Sequence, residues 1–170
     1  MKIDKLMCRL AEGDKSAFKE IYEDTRKPIY YTCLSILRER SLAEDVMQNT
    51  YLKVIEKANT YQAGTNARAW ILRIAKNEAL NLKKRRSFEL NIDETENDGA
   101  LGSYRIDEHG GLIDIARRNL SDEDFNILML VSVSGYKRRE IAEMLEMPIA
   151  TVTWKYNETV KKLRKLLENK

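Results

Sequence analysis

The chain has few of the residues on which enzymes and extracellular proteins commonly depend. It contains one histidine, His109, and two cysteines, Cys8 and Cys33, among 170 residues. A single histidine nearly excludes a catalytic or metal site built on histidines. Two cysteines without metal-ligand spacing are too few for a disulfide scaffold or a zinc motif. We therefore expect reduced thiols packed as small hydrophobic groups, with no metal, cofactor or catalytic residues.

Long apolar runs are also absent, as is a basic stretch followed by an apolar one at the N-terminus. The sequence therefore predicts neither a membrane span nor a secretory signal, which favours a cytoplasmic protein. No segment alternates between apolar and polar residues as a β-strand does, whereas apolar residues recur at helical spacing. The hydrophobic content of 43% is enough for packed cores. We expect an all-α protein.

The net charge of +3 hides an uneven distribution. The segments 67–86 and 149–170 carry +6 and +4, whereas 87–111 carries −6 and four of the seven glycines. Two basic segments separated by an acidic one favour a polyanion as the partner, with two contact zones. The acidic segment has too few apolar residues to offset the entropy of ordering, so it predicts a flexible linker.

The predicted organisation is therefore two small helical domains, 1–86 and 112–170, joined by the acidic linker 87–111. An alternative for the linker is that Leu101, Tyr104 and Ile106 dock on one domain as a short turn.

Helix-start signals divide the first domain into several helices. Asp14 is predicted to cap one helix and Pro28 to open the next. Ser41 with Glu44 three residues later is typical of a capping box, and Thr65 or Asn66 is expected to cap a long helix at Ala67–Arg86. The helix after Ser41 is expected to bury Val46, Thr50 and Val54, with Leu52 and Ile55 as further candidates.

The stretch Gly135–Leu167 is typical of a helix-turn-helix. A first helix ends near Leu145, because Pro148 has no amide donor and disfavours helix at Met147. A second helix begins near Ile149, with apolar residues at three- or four-residue spacing. These are Val152, Tyr156, Val160, Leu163 and Leu167. The second helix of such a unit can enter a DNA major groove, although an ordinary helical hairpin with a solvated basic face is the alternative.

Three stretches of the chain carry recognisable motifs. They are AEDVMQNTYLKV at Ala43–Val54, ARAWILRIAKNEALNLKKRR at Ala67–Arg86, and the helix-turn-helix segment Leu120–Leu167. In this order and spacing they resemble the bacterial RNA polymerase sigma factors of the small, two-domain extracytoplasmic-function type. The resemblance implies a non-enzymatic specificity subunit that binds core polymerase, recognises two promoter elements and assists strand opening.

In the first stretch, Asp45, Gln48 and Asn49 occupy neighbouring helix positions away from the predicted core stripe. The resemblance implies that they bind a coiled coil of the polymerase clamp. Taken alone, the same residues are also typical of a solvated helix face. Asn49 stands where the family usually has an acid, so a neutral hydrogen bond is expected in place of one ion pair.

In the second stretch, cationic and amide side chains gather on one helix. The resemblance implies that this helix and the preceding loop hold the non-template strand of the −10 element. The residues assigned to this surface are Tyr61, Asn66, Arg68, Arg73, Lys76, Asn77, Asn81, Lys84 and Arg85. In the loop Asn59–Asn66, Tyr61 is predicted to stack on a flipped base and Asn66 to hydrogen-bond one. Trp70 is predicted to be core, and a plain surface helix is the alternative.

In the third stretch, the resemblance implies recognition of the −35 element and contact with the polymerase flap. The residues assigned to DNA are Arg138, Arg139, Thr151, Thr153, Trp154, Lys155, Asn157 and Lys161. Trp154 replaces a residue that is usually small, and it is predicted either to contact a thymine methyl or to turn inward. Glu146 replaces a turn glycine, so its backbone is expected to be non-left-handed or slightly strained.

The implied partners are core RNA polymerase, promoter DNA and an anti-sigma factor that occludes both domains, without insertion into a membrane. The linker would permit such closure. The alternative function is a stand-alone helix-turn-helix regulator that binds duplex DNA without polymerase. The motifs of the first domain argue against that alternative.

Overall fold

The computed structural model describes residues 2–93 and 111–168, and within these ranges eight α-helices and one 3₁₀ turn form the fold. The helices are α1 (Lys2–Ala11), α2 (Ala17–Leu37), α3 (Arg40–Glu56), α4 (Ala67–Asp93), α5 (Leu112–Asn119), α6 (Asp122–Ser132), α7 (Arg138–Leu145) and α8 (Ile149–Glu168), with the 3₁₀ turn at Ala58–Thr60. No β-strand occurs in the described residues, and the all-α prediction is confirmed.

Helix α4 is longer than predicted. It continues past Arg86 to Asp93, so the first residues assigned to the linker are helical. The remainder of the predicted linker, including Leu101, Tyr104 and Ile106, lies outside the described residues. None of the helices in 2–93 and 111–168 combines the length and the apolar character needed to cross a bilayer.

Helix α2 runs unbroken from Ala17 to Leu37, so the prediction that a separate helix begins at Pro28 is wrong. Because proline has no backbone N–H, the carbonyl of Asp24 loses its helical donor at this point. The hydroxyl of Tyr136 donates to that carbonyl instead, with 2.6 Å between the oxygens. A contact with a distant part of the chain thus satisfies the group that the proline leaves free.

Two predicted helix caps are not formed. Asp14 accepts a hydrogen bond from the N–H of Ser16 at 2.9 Å, which shapes the turn before α2 rather than capping the helix itself. Ser41 lies inside α3, because that helix begins at Arg40. Its hydroxyl donates to the carboxylate of Glu39 at 2.9 Å, so the predicted capping box is absent.

The helices on either side of residues 94–110 pack against each other, mainly through α2 and α6. The two parts share one continuous set of buried apolar side chains, in which Phe125 of α6 is fully buried. Arg38, at the left-handed end of α2, donates from Nε to Asp122 Oδ1 at 3.0 Å and lies 5.8 Å from the centre of the Phe125 ring. Thr32 donates to the side-chain oxygen of Asn126 at 3.2 Å within this buried contact.

The two cysteines differ in their surroundings, and we expect them to differ in reactivity. Cys33 is fully buried in α2, and burial raises the pKa of its thiol to about 12, which suppresses the reactive thiolate. Cys8 is half-buried. Ellman's reagent should therefore label one thiol per folded chain at pH 8 and two in guanidinium. A Cys8→Ser variant should show no fast labelling when folded, and rapid labelling of that variant would contradict the buried position of Cys33.

Candidate nucleic-acid and polymerase interfaces

Helix α4 presents its cationic side to solvent. Asn66 caps the helix, since its side-chain oxygen accepts a hydrogen bond from the N–H of Ala69 at 3.0 Å. Ile71 and Ala75 are fully buried on the inner side. On the outer side the exposed residues include all of the predicted strand-binding positions after the first turn, namely Arg73, Lys76, Asn77, Asn81, Lys84 and Arg85. The helix is therefore a basic ridge supported by an apolar base.

Tyr61 occupies a different place from the one predicted. Only 8% of it is exposed, and its ring packs edge-on against Trp70 with 5.6 Å between ring centroids. Its hydroxyl donates to Asp4 at 2.6 Å, and burial together with Asp4 raises the pKa of the phenol to about 12. The prediction that Tyr61 stacks on a base is corrected: the ring is part of the core and fixes the loop to α1. Trp70, predicted to be core, is half-buried.

The first two turns of α4 contact protein groups from the helix-turn-helix and from α2. The side-chain amide of Asn66 donates to the carbonyl of Glu143 at 3.1 Å. Arg73 forms an ion pair with Glu146. Arg68 binds Asp24 through Nε and Nη2 at 2.8 and 2.9 Å. Three residues assigned to the DNA strand are thus engaged by protein groups in this conformation.

Helix α3 carries an exposed stripe that is partly apolar. The predicted polymerase-binding residues Asp45, Gln48 and Asn49 are all exposed. Leu52 and Ile55 lie beside them and are 65% and 43% exposed, so their assignment as possible core residues is wrong. A helical wheel would have revealed this, because roughly 100° per residue places Leu52 opposite the buried Val46 and Thr50. We call Asp45, Gln48, Asn49, Leu52 and Ile55 the α3 stripe.

A groove of about 310 Å³ separates α3 from α4. Asp45 and Asn49 of the α3 stripe line one side, and Asn81 and Arg85 of α4 line the other. The sequence assigns these two pairs to different partners, whereas the fold places them on opposite walls of one groove. The predicted polymerase-binding and strand-binding surfaces are therefore contiguous.

The helix-turn-helix is formed by α7 and α8. Glu146 joins the helices in a left-handed conformation, with φ of 55°, which is the strained alternative of the two expected for this position. The buried residues of α8 are Val152, Thr159 and Leu163. Leu167 is 45% exposed, so the predicted apolar stripe ends earlier than expected.

The outward face of α8 holds most of the residues assigned to the major groove. Trp154 is 63% exposed, which excludes the inward orientation left open by the sequence. Asn157 and Lys161 are also exposed, while Thr151 and Thr153 are half-buried.

The remaining cations of the helix-turn-helix are divided between protein and solvent. The guanidinium of Arg138 lies 5.0 Å from the centre of the Tyr156 ring, and Arg139 is exposed beside Glu143. The prediction that Lys155 contacts DNA is corrected. Its ammonium binds Glu123 at 2.6 Å and Asp124 at 3.4 Å in α6. Lys155 thus faces the protein in this conformation rather than a DNA groove.

Comparisons with known proteins agree with this arrangement. Residues 21–89 match the family model described as Sigma-70 region 2. The chain is 26% identical to the ECF RNA polymerase sigma factor SigK of Mycobacterium sp. (strain JLS), over 97% of this chain and 90% of that protein.

Two solved structures share the fold. One is CnrH in complex with the cytosolic domain of CnrY, with a TM-score of 0.69, 18% identity and 99% of both chains covered. The other is the sigma factor RpoE in complex with the anti-sigma factor NepR from Bartonella quintana. Its TM-score is 0.65 at 21% identity, with 89% of this chain and 96% of that chain covered.

The segment matched by the family model contains both the α3 stripe and the basic ridge of α4. The relative from Mycobacterium extends the similarity through the helix-turn-helix. Sigma factors are not enzymes, which confirms the prediction of a chain without catalytic activity. The chain belongs to the extracytoplasmic-function RNA polymerase sigma factors of the sigma-70 family.

Proposed function

We propose that this sigma factor directs core RNA polymerase to promoters through three separate surfaces, and that it acts in the cytoplasm. One observation carries the proposal: the fold exposes all three surfaces to solvent at the same time. The α3 stripe, the basic ridge of α4 and the outer face of α8 each consist of side chains that the core does not use.

The α3 stripe is the proposed polymerase-binding surface. Exposed apolar side chains flanked by polar groups are typical of protein interfaces, whose cores are depleted in charge. Leu52 supplies the apolar contact, while Asp45 and Gln48 supply an acceptor and an amide for a basic helical partner such as the clamp. Asn49 adds a neutral hydrogen-bonding group at the rim of the groove.

The basic ridge of α4 is the proposed site for the non-template strand of the −10 element. Single-stranded nucleic acid is bound by cations that follow its backbone together with groups that contact bases. Lys76, Lys84 and Arg85 supply the charge, and Asn77 and Asn81 supply amides. Asn66 stands at the start of the ridge as the candidate for a base contact. Tyr61 contributes by holding the loop rather than by stacking.

The outer face of α8 is the proposed reader of the −35 element. Trp154 and Asn157 project from the helix where a recognition helix contacts base edges, and Thr151 and Thr153 lie beside them. Arg139 and Lys161 are exposed at the edges of this face, where they would neutralise phosphates. Lys155 would reach DNA only by leaving its acidic partners on α6, so we do not include it in the base-reading set.

Run-off transcription tests the function directly. Core polymerase alone should give few specific transcripts on sheared genomic templates, and addition of the chain should give discrete products. Asp45→Lys should lose these products, because it reverses charge in the α3 stripe. Glu12→Lys makes the same charge change at another exposed position and should retain them. Failure of the chain to bind core polymerase or to yield any promoter-specific product would refute the proposal.

A gel-shift assay separates this function from that of a stand-alone helix-turn-helix regulator. A sigma factor should shift promoter duplex strongly only when core polymerase is present. A regulator of the second kind would shift it equally well alone.

We also propose an anti-sigma factor as a partner. Two proteins that share the fold were solved in complexes, one of them with a protein named as an anti-sigma factor. An exposed stripe with Leu52 and Ile55 is available for such a protein, which would then compete with polymerase. Co-purification from cells followed by competition with core enzyme would test this.

A further inference from the structure

Four exposed side chains form one line along the outer side of α4. We call this line the outer stripe, and its members are Asn77, Asn81, Lys84 and Phe88. At roughly 100° per residue, the four leave the helix within about 60° of one another. The fully buried Ala75 and Ala79 lie on the opposite side of the helix. The outer stripe therefore faces directly away from the core.

Two ion pairs fix the orientation of the last part of this stripe. The ammonium of Lys83 lies 3.3 Å from Asp122, and the guanidinium of Arg86 lies 3.0 Å from Glu39. Both cations leave the helix more than about 130° away from Phe88. Phe88 is 67% exposed. The ring thus projects into solvent while the other side of the helix is held against the protein.

The surroundings of the Phe88 ring favour a polyanion as its ligand. Lys84 and Arg85 are exposed one turn before it on the same helix. The cores of protein interfaces are instead depleted in charge. Sites for single-stranded nucleic acid combine cations that follow the backbone with aromatic side chains on which bases stack. Tyr61 is buried and cannot be that aromatic group, whereas Phe88 has a free face.

We propose that Phe88 is a base-stacking site, which holds an unpaired base of the opened strand one turn beyond Lys84. This inference rests on the proposed strand-binding role of α4 and lengthens that surface. The outer stripe extends about 16 Å from Asn77 to Phe88, at 1.5 Å per residue. Several nucleotides span this length at the spacing of about 3.4 Å in a stacked strand.

The contact belongs to the opened state of the DNA. In a duplex the faces of the bases are covered by their neighbours, so the ring can reach one only after the strand has separated. A group that binds the single strand and not the duplex shifts the equilibrium toward opening by its differential affinity. Stacking tolerates every base, because each has a π-face. Phe88 should therefore add affinity without base preference, and Asn77 and Asn81 remain the candidates for reading sequence.

Three substitutions of Phe88 in the full-length chain separate stacking from simple apolar contact. Holoenzyme reconstituted with core polymerase would be titrated into the fluorescein-labelled non-template strand of a promoter mapped by run-off transcription. Phe88→Ala should weaken binding of the strand by about tenfold, read by anisotropy. Phe88→Leu should weaken it similarly, because leucine is apolar but has no ring. Phe88→Trp should bind at least as tightly as the original chain.

A scan of single abasic sites along the same strand tests whether a base is the partner of Phe88. At one position, loss of the base should weaken binding as much as Phe88→Ala does. Combining that abasic strand with Phe88→Ala should cause no further loss, because both changes remove one interaction. Additive losses at every position of the scan would overturn the stacking site.

Leu112→Ala is the matched control, because Leu112 is 57% exposed at the start of α5 and lies outside the outer stripe. It should leave strand affinity within about twofold. Full affinity in Phe88→Leu would overturn stacking, and weaker binding of core polymerase by Phe88→Ala would instead make Phe88 a protein contact. Unchanged strand binding in Phe88→Ala would overturn this site alone. An original holoenzyme that did not bind the strand would refute the strand-binding role of α4 as well.

Discussion

Leu52→Ala is expected to weaken binding to core polymerase by about 2 kcal/mol, roughly thirtyfold. Leu52 is the most exposed apolar residue of the α3 stripe. An exposed leucine between polar groups contributes little to the folding stability of the free chain. Its loss should therefore be felt mainly in the complex, where it would be desolvated. Alanine is a strong helix former, so α3 should remain intact. Fluorescence titration of labelled chain with core enzyme measures the change.

Leu167→Ala is a suitable control, because Leu167 is 45% exposed near the end of α8, on another part of the surface. It should leave the affinity within about twofold, as expected for a residue outside the proposed contact. Equal effects of the two substitutions would mean that the α3 stripe is not the polymerase-binding surface.

Phe125→Ala is expected to lower the free energy of unfolding by about 3–5 kcal/mol, the usual cost of deleting a buried aromatic ring. Phe125 is fully buried and is the largest of the fully buried side chains. The guanidinium of Arg38 lies against its ring, so the substitution also loosens the junction of α2 with α6. Urea denaturation followed by circular dichroism measures the change.

Phe88→Ala provides the comparison, because Phe88 lies on α4 and is 67% exposed. Its removal should change stability by less than about 0.5 kcal/mol. A loss below about 1 kcal/mol for Phe125→Ala would show that the core rearranges readily around the missing ring.

The helices and the two basic surfaces could be predicted because they depend on local pattern. The apolar period of α1 and the turn before α8 need only a few neighbouring residues to specify them. Asn66 could be recognised as a cap for the same reason, since a capping bond joins residues three apart. The exposure of Leu52 could have been predicted from the same helical period, because Leu52 lies opposite the buried Val46 and Thr50.

The errors concern residues whose partners lie far away in sequence. Pro28 is tolerated inside α2 because Tyr136, more than a hundred residues later, satisfies the carbonyl that it frees. Tyr61 is buried because Asp4 on α1 accepts a hydrogen bond from its hydroxyl. Lys155 faces the protein because its ammonium forms ion pairs with acidic residues on α6. Single-sequence periodicity carries no information on such pairings, which arise only when the helices pack.

The bond between Tyr61 and Asp4 also bears on how the chain can be divided. The segment similar to Sigma-70 region 2 begins at residue 21, inside α2, and so leaves out all of α1. A fragment trimmed to that segment would expose the apolar surface that α1 covers and would release the loop that Asp4 holds through Tyr61 and the N–H of Gly64. The smallest autonomous folding unit on this side of the molecule therefore begins with α1. Domain-swap chimaeras should exchange α1 together with the segment similar to Sigma-70 region 2.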